Sequence, residues 1–486
     1  MGPPKAARAI SQEAFESLVN ENMEDLGMEP DEALEDAIQT LTLQGVDLSG
    51  IVKCIPGVTS LQDNPLIQSL DGLRSIASRL AACKPQLEDV KSATGPSVAK
   101  INVVRPEEDL DELVLLLENL YAACSTEASE NSAIALKNGG IEVVTALCSV
   151  LSEGFERPLV SALKTLAALL HDLQSAETFR QSDGPKIVAA ILNTYNQNEN
   201  VLESGFAVVT AAATGNEILK ESFMELKIDE LFLRIMTQET KPNIQSLYDA
   251  LRVLLTPDDN RVLASQVFGY ARRFAKIGLA QPLVEVIHEG ISSPQMVSAS
   301  IALKALAVND EICKSIAEYD GINAILECID NASKQNNKAA AKACCSVLSK
   351  LAGSDANKST IVQGGGLDKL LKLASTFSDD PSILQEVMSI VCVLSLRAPD
   401  NAALAMEAGA GDLAIQAMNL FPGASQLQRQ ACFMIRNLVV RNPENRTIFL
   451  NNGIEMIIRK AKESHASCKD AAVDALRDLG VDNYNT

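Results

Sequence analysis

Histidines are the residues that most often supply acid–base chemistry or metal ligation, and this chain holds three of them far apart. His171, His288 and His465 fall in different repeats of the sequence. The nucleophile pattern G-x-S-x-G and the zinc pattern H-E-x-x-H are not found. We therefore expect no catalytic residue, no metal site and no cofactor.

A glycine triplet, Gly364-Gly365-Gly366, resembles a phosphate-binding loop in composition. Such a loop follows a β-strand and runs into Lys-Ser or Lys-Thr. Helical patterns flank this triplet on both sides instead. The triplet is predicted to be a turn between helices.

Basic residues that recur at a regular interval could form an electrostatic docking surface. One helical position, which we call the anchor, recurs nine times along the chain, and the residue directly before it is Lys or Arg in five cases. The chain as a whole has a net charge of −21. Because fixed cations attract anionic partners, an acidic extended segment is the ligand that this row predicts. The five are Lys164, Arg252, Lys304, Arg436 and Arg477.

Local ion pairing is the alternative interpretation of the same row. Asp249 stands three residues before Arg252, and Asp474 stands three residues before Arg477. Charges of opposite sign at this spacing pair on a helix surface. The sequence leaves both interpretations open.

The elements that position this row are helices of one repeating pattern. The recurring residue is followed by Leu in eight of nine cases, and the intervals are 46, 45, 43, 52, 45, 45, 42 and 41 residues. A helical period of about 40–47 residues is typical of HEAT and armadillo solenoids. The nine anchor positions are Asn119, Thr165, Thr210, Val253, Ala305, Lys350, Ser395, Asn437 and Asp478.

Three local motifs resemble armadillo repeats: an Asn-x-x-x-(Ile/Leu) helix, a Gly-Gly-Ile turn and the helix RQACFMIRNLVV. The stretch at 11–53 resembles, more particularly, the N-terminal part of the armadillo repeat-containing protein 6 family. This resemblance extends over nearly the whole chain. It implies an all-α fold, a right-handed α-solenoid of about eight or nine armadillo repeats, rather than a particular activity.

The anchor row argues against one function that the superfamily includes. In importin-like members an Asn at the anchor clamps a peptide backbone, and a Trp four residues earlier packs its side chains. Here Asn stands at two of the nine anchors, Asn119 and Asn437, and the chain contains no Trp. An import-receptor groove is therefore not expected, and these two residues are kept as candidate partner-binding residues.

The chain is predicted to have three parts: an acidic helical region at 1–83, a linker at 84–106 and a solenoid at 107–486. The linker carries Pro85, Gly95, Pro96 and Pro106 and has few large apolar residues. The acidic region carries eleven acidic residues and no Lys or Arg between Ala9 and Val52.

Helical periodicity places an apolar stripe, which includes Phe15 and Val19, on the first helix of the acidic region. The stripe predicts docking, either onto the chain's own first repeat or onto an external partner. The sequence does not decide between these two.

One interval is longer than the others, and its extra residues are rich in side chains that bind proteins. It spans 52 residues between Val253 and Ala305, and the excess falls in RVLASQVFGYARRFAKIG. Aromatic residues and Arg are typical of interface hot spots. Tyr270, Arg272 and Arg273 are therefore candidate partner-binding residues, and the insert is either a loop or a longer helix.

Composition narrows the cell compartment and the class of partner. Eleven cysteines without a C-x-x-C pair indicate a reducing compartment, and the N-terminal MGPPKAARAI lacks the apolar core of a signal peptide. No run approaches the roughly 20 apolar residues of a membrane span. An acidic chain is also a poor match for phosphate. We expect a monomeric cytoplasmic protein, with the nucleus as a second compartment, that binds neither nucleic acid, membrane nor small-molecule substrate.

The predicted function is a non-catalytic protein–protein interaction scaffold that binds a partner through the concave groove of an armadillo superhelix. Two alternatives remain from other classes. One is a regulatory subunit or enzyme with a site hidden in the groove. The other is a transport-receptor-like peptide binder, which the missing Trp and Asn rows count against.

Overall fold

The computed structural model describes residues 8–82, 107–125, 130–152, 154–238 and 243–485. In these ranges the chain is mainly helical, with two short 3-10 helices and one two-stranded parallel pairing of β1 (Arg8–Ala9) with β2 (Val46–Asp47). The predicted linker at 84–106 lies outside the described residues.

The α-helices of the described residues follow one another through short connections. Their bounds are α1 (Gln12–Glu24), α2 (Pro30–Leu43), α3 (Pro65–Ala82), α4 (Glu107–Cys124), α5 (Glu130–Lys137), α6 (Gly140–Leu151), α7 (Glu156–Leu169), α8 (Leu173–Gln181), α9 (Gly184–Thr194), α10 (Glu199–Ala213), α11 (Glu217–Glu225), α12 (Ile228–Met236), α13 (Gln245–Leu254), α14 (Ser265–Lys276), α15 (Ala280–His288), α16 (Met296–Leu306), α17 (Asp310–Glu318), α18 (Gly321–Gln335), α19 (Lys338–Leu351), α20 (Asp355–Gln363), α21 (Gly366–Thr376), α22 (Pro381–Ser395), α23 (Pro399–Glu407), α24 (Ala410–Leu420), α25 (Ser425–Val439), α26 (Pro443–Asn451), α27 (Ile454–Ser464) and α28 (Lys469–Asp478).

The helices from α5 onward form triplets of a short first helix, a second helix and a third helix. Eight such triplets run from α5 to α28 in the described part of the chain, and the pair α3–α4 precedes them. Every anchor position of the sequence lies in a third helix or in α4. The predicted period therefore marks real structural repeats.

The chain divides into two compact units, Met1–Ile228 and Asp229–Thr486. Within the first unit α4, α7 and α10 pack in sequence order, and α3 packs on α4 and α6. Within the second unit α13, α16, α19, α22, α25 and α28 pack in the same way, and the second helices α15, α18, α21, α24 and α27 form a parallel series. Each helix thus contacts its own repeat and the adjacent ones, which is the organisation of a repeat array.

Asparagine side chains join three of the short first helices, α20, α23 and α26, to the third helix before each of them. The side-chain amide of Asn445 donates to the carbonyl oxygen of Leu438 at 2.8 Å, and that of Asn401 donates to Leu394 at 3.1 Å. Asn357 donates to both Leu351 and Cys313. These bonds satisfy carbonyls that the end of a helix leaves without intrahelical partners.

The turn between first and second helices requires a left-handed backbone. Gly365 and Gly453 adopt φ values of 72° and 74° there, a conformation that glycine reaches without a steric penalty. In the turn between α8 and α9, packing also requires the next residue, Gly184, to be small. A Cβ on Gly184 would lie 2.2 Å from the ring of Phe179. The glycine triplet at 364–366 is such a turn, as predicted.

Leucines after the anchors form the core, with one exception. Leu120, Leu166, Leu254, Leu306, Leu351, Leu438 and Leu479 are buried. The exception is Leu396, which is 44% exposed. Because α22 ends at Ser395, Leu396 is extended, with φ −66° and ψ 116°, and its side chain leaves the core.

The apolar stripe of the acidic region does not dock onto a repeat. Phe15 and Val19 of α1 pack against Ala37 and Leu41 of α2, so the hairpin has its own core. The segment after α2 contacts the first triplet of helices instead, where Lys53 Nζ lies 2.7 Å from the Glu130 carboxylate of α5. The division at 83 and 107 stays a prediction.

The long interval contains both an extended connection and a longer helix. Residues 255–264 connect α13 to α14, whereas residues 307–309 connect α16 to α17. The helix α14 has 12 residues, and α17 has 9. Both possibilities left open by the sequence therefore occur together.

No single helix of the described ranges is both long enough and apolar enough to cross a bilayer. The pair α5–α6 passes on length and composition only when taken together, and it is bent by 71°.

Candidate functional site

The third helices α13, α16 and α19 bring three cations together around one cavity. Its volume is about 470 Å³, and its charged lining residues are Arg252, Lys304 and Lys350. No acidic residue lines it in the part of the chain that the structure describes. The cavity is therefore positive in a chain that is strongly negative overall.

Apolar side chains form the rest of this cavity, which we call the basic pocket. Ile301 on α16 and Phe268 on α14 are each 40% exposed and line it together with Leu255. Ile301 precedes Lys304 by three residues, which places both on one face of α16. The pocket thus offers an apolar floor beside ammonium and guanidinium groups.

The orientation of α14 explains why Phe268 faces outward. Val267, Ala271 and Phe274 are buried on one side of this helix, and the ring of Phe274 meets that of Phe232 edge-on at 5.8 Å. Phe268 follows Val267 directly and therefore points away from the buried side. The insert supplies one wall of the basic pocket.

The cations of the basic pocket differ in their ion pairing. Arg252 Nε lies 4.0 Å from the Asp249 carboxylate, and both side chains are about two-fifths exposed. Lys304 and Lys350 are exposed and have no carboxylate partner within the described ranges. Because an exposed pair at 4.0 Å is weak, the pocket keeps most of its positive charge.

Two other members of the predicted basic row are committed to internal ion pairs. Arg436 lies 3.0 Å from Asp478 and 3.4 Å from Asp474, and Arg477 lies 3.0 Å from both of the same carboxylates. This network joins α25 to α28. Local pairing, the alternative interpretation, describes these two arginines.

Lys164 resembles Lys304 rather than the paired arginines. It is exposed on α7, and no carboxylate partner occurs for it in the described residues. It belongs to the first unit, whereas the basic pocket belongs to the second. Two members of the predicted row, Arg252 and Lys304, line the basic pocket.

The three candidates on the insert have different surroundings. Arg273 Nε lies 2.5 Å from the carboxylate of Asp229, which is buried, so it fastens α14 to α12. The hydroxyl of Tyr270 accepts a hydrogen bond from Gln266 at 3.0 Å, and Tyr270 is half-buried. Arg272 is exposed, and its Nε donates to the carbonyl oxygen of Phe268.

The two asparagine anchors also differ from each other. The amide of Asn437 donates to the carbonyl oxygen of Cys392 on the preceding third helix at 2.8 Å. Asn119 is exposed on α4. Binding of a partner by any of the candidate residues stays a prediction.

Sequence reasoning missed Lys350 and Ile301 as site residues. Lys350 was visible as an anchor, one position after the basic row, and Ile301 as the residue four before its own anchor. Only the packing of α16 between α13 and α19 shows that these rows meet at one cavity.

In the described residues possible metal ligands do not gather, and burial lowers the reactivity of two of the cysteines. No group of three His, Cys, Asp or Glu side chains there could hold a metal ion. Burial raises the pKa of Cys148 to about 12 and that of Cys432 to about 12. Both thiols are therefore protonated and weakly nucleophilic at neutral pH.

Comparison with known families identifies the chain. The ARMC6 family model matches residues 97–484, and the model of the armadillo repeat-containing protein 6 N-terminal domain matches residues 7–69. The chain belongs to the ARMC6 family. Its similarity to that family, predicted from the 11–53 stretch and the repeat helices, is confirmed.

Proteins similar to this chain occur in Homo sapiens and Drosophila melanogaster. Armadillo repeat-containing protein 6 of Homo sapiens is 26% identical over 413 residues, which covers 81% of this chain and 75% of the relative. The Drosophila melanogaster homolog is 25% identical over 407 residues, covering 83% of this chain and 80% of the relative.

The fold itself is similar to that of a solved engineered protein. The two align with a TM-score of 0.61 at 15% identity, covering 86% of this chain and 99% of the other. The ARMC6 chain is an all-α armadillo solenoid, as predicted.

Proposed function

We propose that this ARMC6-family chain is a non-catalytic interaction scaffold whose basic pocket binds an acidic segment of a protein partner. One observation carries the proposal: Arg252, Lys304 and Lys350 surround a cavity with apolar walls in a chain of net charge −21. Cations held at fixed positions in an acidic protein favour an anionic ligand and speed its approach.

The cavity favours a segment that carries an apolar residue between its carboxylates. Its volume of about 470 Å³ falls within the roughly 300–1,000 Å³ that is typical of ligand sites. Phe268 and Ile301 would bury an aliphatic side chain, and Lys304 and Lys350 would pair with carboxylates beside it.

Spacing of the third helices suggests the spacing of acids in the ligand. Packed helices lie about 8–10 Å apart, and an extended chain rises about 3.3 Å per residue. Carboxylates about three residues apart would therefore meet cations on successive third helices. The proposed ligand is an extended segment with acids at that interval and a Leu or Ile between them.

Fluorescence anisotropy with a labelled peptide tests this proposal. The probe is a fluorescein-labelled peptide of the pattern Glu-Leu-Gly-Glu-Leu-Gly-Glu, and its counterpart replaces each Glu with Gln. We expect binding of the acidic peptide that weakens as salt rises, because exposed charges are screened beyond about 10 Å at 0.1 M salt. The Gln peptide should not bind.

Charge reversals separate the basic pocket from the wider row. Lys304→Glu with Lys350→Glu should weaken binding at least about tenfold, since each exposed pair is worth about 0.2–1 kcal/mol and reversal adds repulsion. The matched comparison is between the single variants Lys304→Glu and Lys164→Glu, since Lys164 is also exposed and has no carboxylate partner in the described residues. An equal loss in these two single variants, or no binding by the unaltered chain, would refute the pocket.

A further inference from the structure

A second cavity lies between two adjacent repeats near the C-terminal end, and its charge is opposite to that of the basic pocket. It has a volume of about 370 Å³ and lies among α23, α24 and α26, which are first and second helices. Its carboxylates are Glu407, Asp412 and Glu444. No Lys or Arg lines it in the described part of the chain.

These three carboxylates have no cation to neutralise them. Each side chain is exposed, and none pairs with Lys, Arg or His in the ranges that the structure describes. Arg446 is also on α26 and does not line the cavity. The negative charge at the rim is therefore available to a ligand.

Helix architecture explains two of the acids but not the third. Asp412 and Glu444 lie in the first turns of α24 and α26, where the positive end of the helix dipole favours a carboxylate. Glu407 is the last residue of α23, where the dipole disfavours it. A carboxylate at that position has no local stabilising role.

The cavity floor between the acids is apolar. Met406, Ile415 and Ile448 line it, and Ile448 is 49% exposed. The ring of Phe449 lies below and is fully buried. Carboxylates around an apolar floor complement a side chain whose stem is aliphatic and whose end is cationic, or a Leu beside such a side chain.

We infer that this acidic cavity is a second docking site, for a basic segment of a protein partner that carries Lys or Arg beside an aliphatic residue. Charge complementarity selects the occupant, since three unpaired carboxylates surround the floor. The site shares no residue with the basic pocket. A chain with both sites could hold an acidic and a basic segment at the same time.

The test uses the full chain and a labelled basic peptide. The probe is fluorescein-labelled Lys-Leu-Arg-Lys-Leu-Arg, and its counterpart replaces each Leu with Ser. The triple variant Glu407→Gln, Asp412→Asn and Glu444→Gln should weaken binding about tenfold or more, since each lost pair is worth about two- to fivefold. The Ser peptide should bind more weakly than the Leu peptide.

The basic peptide is also attracted by the negative net charge of the whole chain, so a control variant must remove the same charge elsewhere. Glu311→Gln, Asp368→Asn and Glu463→Gln remove the same three charges from exposed positions elsewhere in the second unit, and none has a cation partner among the described residues. This triple should change the affinity less than about twofold at 0.15 M salt, where charges beyond about 8 Å are screened. Equal losses in the two triples would overturn the site.

An uncharged variant keeps the test independent of electrostatics. Ile448→Ala removes part of the apolar floor at a half-exposed position and leaves every charge in place. We expect weaker binding of the Leu peptide and unchanged binding of the Ser peptide. If both peptides bind the variant as they bind the unaltered chain, the floor has no role and the inference fails.

Discussion

Removing the amide of Asn357 should weaken the array at one junction between repeats. This side chain is 3% exposed, and its Nδ2 donates to the carbonyl oxygen of Cys313 at 3.0 Å and to that of Leu351 at 3.1 Å. It therefore joins α20 to α17 and to the end of α19, across two adjacent repeats. Asn357→Ala deletes both bonds at once.

The expected cost follows from the two acceptors. Each hydrogen bond contributes about 0.5–1.5 kcal/mol net, and a buried carbonyl left without a donor costs about 1–3 kcal/mol. Asn357→Ala should therefore lower the free energy of local unfolding by about 2–4 kcal/mol.

Two other asparagines provide variants with smaller expected losses of stability. Asn445 is equally buried and makes one such bond, to Leu438 at 2.8 Å, so Asn445→Ala should cost about half as much. Asn452, the residue directly after α26, is exposed, and its side-chain amide donates to the carbonyl oxygen of Ile448 in that helix. Asn452→Ala should stay within about 0.5 kcal/mol of the unaltered chain.

Native-state hydrogen exchange with peptide-level resolution is the suitable assay, because a long repeat array need not unfold in one step. Protection should fall most in α17 to α20 for Asn357→Ala and in α25 to α27 for Asn445→Ala. Equal losses for Asn357→Ala and Asn452→Ala would refute the reasoning. So would a loss spread evenly over both units.

Three further changes test the core, the internal ion pairs and the electrostatics. Leu438→Ala removes a fully buried side chain and should lower the free energy of local unfolding by about 2–5 kcal/mol. Hydrogen exchange should show the loss of protection in α22 to α28 rather than along the whole chain. Arg436→Glu places a carboxylate beside Asp478 and should lower the melting temperature, whereas the exposed Lys304→Glu should change stability by less than about 0.5 kcal/mol. A hydrogen bond from Ser382, with a smaller contribution from Lys338, holds the pKa of Asp380 well below its usual value of 3.8. A carboxylate whose pKa is depressed in the folded state stabilises the fold at pH values above its unfolded pKa, and this stabilisation is lost as pH falls. Asn caps a helix as well as Asp does. The melting-temperature gap between the unaltered chain and Asp380→Asn should therefore be largest near neutral pH and shrink below about pH 4, and a gap independent of pH would contradict this origin.

Much of the fold could be predicted from sequence because its signals are local. The period between anchors, the Leu that follows each anchor and the left-handed turn at residues such as Gly453 all lie within one helix or one connection. Leu396 shows the limit of such signals. Its place in the row is regular, but α22 ends one residue too early to bury it.

The candidate sites required tertiary structure because their residues are about 45 positions apart in the chain. Sequence identified Arg252, Lys304 and Arg436 as one row, yet the third is paired with Asp478 and the second has no carboxylate partner in the described ranges. A cation is neutralised only where the adjacent repeat places a carboxylate beside it. The intervals in the sequence do not show where this happens.

The amino-acid sequence by itself determined the repeat, the helical class and the negative charge of this protein, since each depends on periodicity or composition. Tertiary packing alone decided that Phe268 and Lys350 meet Lys304 at the basic pocket, and that Glu407 meets Glu444 at the acidic one. Both cavities form where side chains of adjacent repeats approach one another. Such contacts depend on how helices from different repeats pack, which the pattern within one repeat does not encode.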